Sequence, residues 1–63
     1  LPIINIQIFE GRSGEIIEKL IEDVTATVGE TLNAPKENIR VIVTEVKKTH
    51  WGIGGRSAEQ LGR

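Results

Sequence analysis

Cysteine is absent from this chain, and histidine occurs once, at position 50. The first absence excludes disulfide staples. Together the two exclude a structural zinc site, which takes its ligands from sets of Cys and His side chains, so we expect no metal. Aromatic residues are scarce, with one Phe and one Trp. Neither charge sign is in excess: 8 Lys and Arg face 9 Asp and Glu, for a net charge of -1. A nucleic-acid footprint needs clustered Lys and Arg in excess, and no such partner is expected. No apolar run approaches the roughly 20 residues of a membrane span. The first residues carry neither the basic segment nor the cleavage site of a signal peptide. These absences set the expectation of a soluble cytoplasmic protein with no nucleic-acid or membrane partner.

What is present fits one domain over residues 1–63. A chain this short buries only about 60% of the surface it exposes unfolded. Small domains of this kind rely on disulfides, metals or self-association. With the first two excluded, self-association is expected. The 38% of hydrophobic residues is mostly Ile, Val and Leu, which suits strands and sheet–helix packing.

Residues 2–9 alternate, with Ile4, Ile6 and Ile8 on one side and Ile3, Asn5, Gln7 and Phe9 on the other. Period two predicts a strand with one greasy face and one mixed face. Proline is tolerated at a strand's first residue because it lacks the N–H of the ladder, so Pro2 reads as a strand start. It has a second reading: a free proline N-terminus is a secondary amine, able to act as a base or nucleophile. Glu10-Gly11-Arg12-Ser13-Gly14 ends the strand in a loop where two glycines flank an arginine. Ser13 is a suitable N-cap. Ile17, Leu20, Ile21, Val24, Val28 and Leu32 then follow helical spacing along one stripe. Glu15 and Lys19 stand four apart in the order that favours a helical ion pair. Gly29 interrupts the stripe and leaves room for another backbone. The helix is expected to stop near Asn33, since the residue before Pro35 is pushed away from helical angles.

Residues 39–46 are almost uniformly apolar and β-branched, which predicts a second strand covered on both faces. The helix between the strands returns the chain, so they are expected to be parallel, joined by a right-handed crossover. Lys47-Lys48-Thr49 reads as a loop. His50-Trp51-Gly52-Ile53-Gly54-Gly55 predicts a tight hairpin or irregular turn. The tail from Arg56 to Arg63 is polar, with Leu61 as its anchor. The fold class is therefore α+β: one β-α-β subunit with parallel strands and a short C-terminal hairpin. One sheet face meets the helix, and the other must be covered by another subunit, giving an oligomer.

No catalytic carboxylate pair or serine nucleophile motif is evident. Pro2, Arg12, Arg40 and Trp51 stand out instead. Arginines in loops can grip carboxylates in a two-pronged fashion, and they can equally be surface residues in weak ion pairs. The order and spacing of several short segments carry more weight. These are the initial Pro2-Ile3, Glu10-Gly11-Arg12-Ser13, Asn33-Ala34-Pro35, Ile39-Arg40-Val41, Thr44-Glu45 and His50-Trp51-Gly52-Ile53-Gly54-Gly55. In these the chain resembles the 4-oxalocrotonate tautomerase family along its whole length.

The resemblance implies a tautomerase-like homo-oligomer, a hexamer built as three dimers, and a role in aromatic hydrocarbon catabolism. It implies an isomerase that needs no cofactor and acts on 2-hydroxymuconate or a related unsaturated 2-hydroxy or 2-oxo acid. Pro2 matches the catalytic proline, whose amine takes a proton from the dienol oxygen and returns one at carbon 5. Arg12 matches the residue that holds the far carboxylate. Arg40, from a neighbouring subunit, matches the one that contacts the 2-oxygen and the adjacent carboxylate. Trp51 and Phe9 match substrate-binding wall residues, more often phenylalanine and leucine. His50 is assigned a structural role. A base works best with a pKa near the working pH, and burial with nearby arginines lowers that of an amine.

Leu1 is a departure from the family pattern. Attached to Pro2, it makes the nitrogen an amide with no basic lone pair. The alternatives are a chain trimmed to free Pro2, or an impaired oligomeric variant that serves as an anion-binding scaffold. Within the family, tautomerisation of monoacid enols such as phenylenolpyruvate, or hydration and dehalogenation of 3-halogenated acrylates, are further alternatives.

Overall fold

The computed structural model describes residues 1–63. Strand β1 spans Ile3–Phe9, helix α1 Gly14–Leu32 and strand β2 Arg40–Val46. Two-residue strands β3 (Gly52–Ile53) and β4 (Arg56–Ser57) close the chain. The β1–β2 pair is parallel, with Ile3 opposite Arg40 and Phe9 opposite Val46. β3 and β4 form the expected antiparallel hairpin. Its turn residues Gly54 and Gly55 have φ of 60° and 89°, angles that side chains with a Cβ rarely adopt.

The helix begins and ends for local reasons. The Ser13 hydroxyl accepts from the Ile16 N–H at 3.3 Å, satisfying one of the orphan donors of the first turn. At the other end Asn33 turns left-handed, with φ of 52°, and its N–H closes on the Gly29 carbonyl. The Ala34 N–H reaches the same carbonyl at 3.0 Å. A Cβ on Gly29 would lie 3.2 Å from the Ala34 carbonyl oxygen, so the backbone that needs this glycine is the chain's own. The expected Glu15–Lys19 pair does not form. Lys19 instead binds Asp23 at 2.8 Å, and that hydrogen bond and charge raise its pKa. Glu15 lies in the first turn, where the helix's own exposed N–H groups supply positive charge.

Parallel pairing places Ile4, Ile6, Val41 and Val43 on one sheet face, where all four are half-buried. Ile17, Leu20, Ile21, Val24 and Val28 of the helical stripe are half-buried as well. Leu32, the last of the stripe, is 60% exposed. The opposite face carries Ile3 at 58% and Ile42 at 50% exposure, with Asn5, Gln7 and Thr44 also exposed. Within one chain the helix covers one face of β2 and no residues are left for the other, as the β-α-β reading expects; cover for that second face would have to come from another subunit.

Only Ile39 (7% exposed) and Ala58 (0%) are fully buried. Ile39 was expected within the strand and instead links it to the 3-10 turn Lys36–Asn38. Ala58 lies in the tail, which is more ordered than its polarity predicts. Its N–H donates to the Trp51 carbonyl at 2.7 Å, and the Arg63 N–H donates to its own carbonyl at 2.9 Å. The radius of gyration is 14.6 Å, against about 11 Å for a compact domain of this length. The accessible surface is 4788 Å², where a monomer of this mass exposes about 4000 Å².

Candidate active site

The candidate residues fall into two groups at opposite ends of the strand pair. Pro2 and Arg40 form the first. Pro2 precedes β1 and is half-buried, and its carbonyl accepts from the Arg40 N–H at 3.0 Å. The Arg40 guanidinium is exposed and donates to the Glu37 carbonyl at 2.7 Å. That bond uses one donor of a guanidinium with five N–H groups. The Pro2 nitrogen is joined to Leu1.

Phe9, Arg12 and Trp51 form the second group. Phe9 ends β1, and the Glu10 N–H continues the ladder to the Val46 carbonyl at 3.0 Å. Gly11, with φ of 120°, then turns the chain so that the Arg12 guanidinium donates back to the Phe9 carbonyl at 3.2 Å. Trp51 follows a 3-10 turn over Lys48–His50, where Lys47-Lys48-Thr49 is expected to be a loop. Its ring meets Phe9 edge to face, with centroids 4.5 Å apart and an interplanar angle of 62°. Such a pair is worth about 0.5–1.5 kcal/mol beyond its buried area. The Lys48 ammonium lies over the same Phe9 ring, 5.4 Å from its centroid. Nothing in the sequence marks Lys48 beyond its place in a polar stretch.

The strand itself separates the groups. From Pro2 to Phe9 the chain advances about 23 Å at about 3.3 Å per residue. A small diacid cannot bridge that span. The clefts of the single chain do not join the groups either. One, of about 450 Å³, is lined by Glu10, Gly11, Lys47, Lys48, Thr49 and Glu59. Another, of about 210 Å³, is lined by Gln7, Val46, His50, Trp51 and Gly52. Pro2, Arg12 and Arg40 line neither. His50 is exposed at the edge of the second cleft. No group of His, Cys, Asp and Glu is arranged to hold a metal ion, and no helix is long and apolar enough to cross a membrane.

Comparison with known proteins gives the family of the chain. A family profile described as tautomerase enzyme matches residues 2–60. The 2-hydroxymuconate tautomerase of Stutzerimonas stutzeri is 49% identical over 63 residues, covering all of both chains. A 4-oxalocrotonate tautomerase isozyme from Methylibium petroleiphilum superposes with a TM-score of 0.89 at 48% identity, over 98% of this chain and all of that one. A heterohexameric 4-oxalocrotonate tautomerase from Chloroflexus aurantiacus superposes with a TM-score of 0.88 at 33% identity, over 97% of this chain and 98% of that one. Fold, length and sequence agree from end to end, and the chain belongs to the 4-oxalocrotonate tautomerase family, a family of isomerases with tautomerase activity.

Proposed function

We propose that the chain converts 2-hydroxymuconate, or a closely related unsaturated 2-hydroxy diacid, to its 2-oxo isomer, with the Pro2 nitrogen as general base and no cofactor. The free amine takes the proton from the 2-hydroxyl oxygen, and electron density moves along the diene. The proton returns at carbon 5. Arg12 holds the far carboxylate, and Arg40 of a neighbouring subunit steadies the 2-oxygen and the adjacent carboxylate. Phe9 and Trp51 form the apolar wall. Donors aimed at developing charge in a site shielded from water account for much of the rate in such reactions.

The full-length likeness to 2-hydroxymuconate tautomerases supports the reaction, and the separation of Pro2 and Arg40 from Phe9, Arg12 and Trp51 by the length of β1 supports a site shared between copies. Antiparallel docking of two such strand pairs would set the start of one β1 against the end of the other. The site then forms only between copies, and we propose a homo-oligomer, a hexamer of three dimers. The open face with Ile3 and Ile42 supports this. So does the surplus surface of about 800 Å², close to what each partner buries in an interface of standard size.

The amide at Pro2 favours one further reading. While Leu1 remains attached, the nitrogen holds no proton-accepting lone pair, and the assembly would bind anions without turning them over. Intact mass together with an ultraviolet assay on 2-hydroxymuconate separates the two. Protein with a free Pro2 should turn over substrate, and the acylated form should not. Arg12→Ala should lose about 10²-fold or more in kcat/KM. Full turnover by acylated protein, or normal kinetics for Arg12→Ala, refutes the proposal.

A further inference from the structure

We propose that Lys48 is a specificity-determining residue, a second cation that shares the far carboxylate of the substrate with Arg12 and selects dianionic over monoanionic enols. The inference rests on the tautomerase reading above and concerns a residue that reading leaves without a role.

Phe9 is the hub of the argument. Arg12 bonds its carbonyl at 3.2 Å, and the Lys48 ammonium sits 5.4 Å from its ring centroid. Two cations thus flank one wall residue at the same end of the sheet. Lys48 is held there from both directions. Its backbone opens the 3-10 turn Lys48–His50, and its carbonyl accepts from the Glu59 N–H at 3.2 Å. Its charge is not spent on a neighbour. Glu10 and Glu59 line the same cleft of about 450 Å³, yet the single salt bridge of the molecule is Lys19–Asp23. An ammonium on a ring face keeps N–H donors free for an anion.

The experiment compares wild type, Lys48→Met, Lys48→Arg and the charge control Lys19→Gln. Each carries a free Pro2 and is assayed on 2-hydroxymuconate and phenylenolpyruvate across ionic strength. Methionine keeps an apolar stem and a sulfur–aromatic contact on Phe9 while removing the charge. We expect Lys48→Met to raise KM for the diacid about tenfold, the scale of one charged hydrogen bond, with kcat little changed. The monoacid should shift by less than about twofold on the same scale. The diacid's salt dependence should flatten in Lys48→Met, and Lys48→Arg should restore both. Lys19→Gln should match wild type. Equal losses on the two substrates, or failure of Lys48→Arg to restore selectivity, overturn the inference. Binding of the unreactive diacid muconate, followed by Trp51 fluorescence, reads the same contact without turnover. If wild type isomerises neither enol while Lys48→Met still weakens muconate binding, the tautomerase reading fails and the Lys48 contact stands. If muconate binding is unchanged in Lys48→Met, the contact itself is refuted.

Discussion

Replacing Ile42 by aspartate strikes the open sheet face at its centre. Ile42 is 50% exposed in the single chain. Fully burying an isoleucine is worth about 1.5–3 kcal/mol, so covering the remaining half contributes about 0.8–1.5 kcal/mol per copy. A two-fold interface contains the residue twice, for about 1.5–3 kcal/mol per pair. A buried carboxylate adds an effective penalty of several kcal/mol per ion. With about 3 kcal/mol per copy for that penalty, the pair loses about 8 kcal/mol, or more than about 10⁵-fold in association constant. Ile42→Val removes one methylene, costs about 1 kcal/mol, and should stay assembled. Sedimentation velocity over a concentration series, with turnover measured on the same samples, checks both. Ile42→Asp should dissociate, lose activity and melt at a lower temperature, because obligate oligomers lack a stable free subunit. If it sediments like wild type, or dissociates with turnover intact, the placement of the site between copies is wrong.

Three further substitutions address the elements that hold the site in place. Ser13→Ala removes the cap on Ile16 and should lower stability by about 1 kcal/mol in urea unfolding. Asn33 has φ of 52°, so Asn33→Ala should cost about 1–2 kcal/mol by the same measurement, while Asn33→Gly costs far less. Ala58 is fully buried and bonded to Trp51; Ala58→Leu should cost about 1–3 kcal/mol by overpacking and shift the fluorescence of the single tryptophan.

The elements that could be read from the sequence are those whose signal is local. Alternation at Ile4, Ile6 and Ile8 marks β1, the Ser13 cap and the stripe from Ile17 to Val28 mark α1, and three glycines mark the hairpin turn. The misreadings share a physical cause: each depends on which of several neighbours wins. Lys19 has carboxylates one turn away on both sides, and spacing does not choose between Glu15 and Asp23. Ala58 belongs to a polar tail, and its burial comes from hydrogen bonds of the backbone, which side-chain patterns do not record. Pro2, Arg12, Arg40 and Trp51 stand out by type and place along the chain, and Phe9 enters through the family resemblance. Their division between two ends of a sheet needed the strand register.

That division bears on the chemistry as well as the geometry. A proline amine is a useful base near neutral pH only if its protonated form is disfavoured, and burial and nearby cations are what disfavour it. One copy of this chain supplies neither in full. Pro2 is only half-buried, the Arg40 side chain turns to the Glu37 carbonyl, and Arg12 lies at the far end of β1. The slab is 13 Å across its thinnest dimension, too thin to enclose a cavity. Docking another copy over the open face would add apolar cover, a second guanidinium and the aromatic wall in a single step. Base strength, substrate affinity and subunit stability would then share one cause, and dilution that separates the copies should abolish all three together.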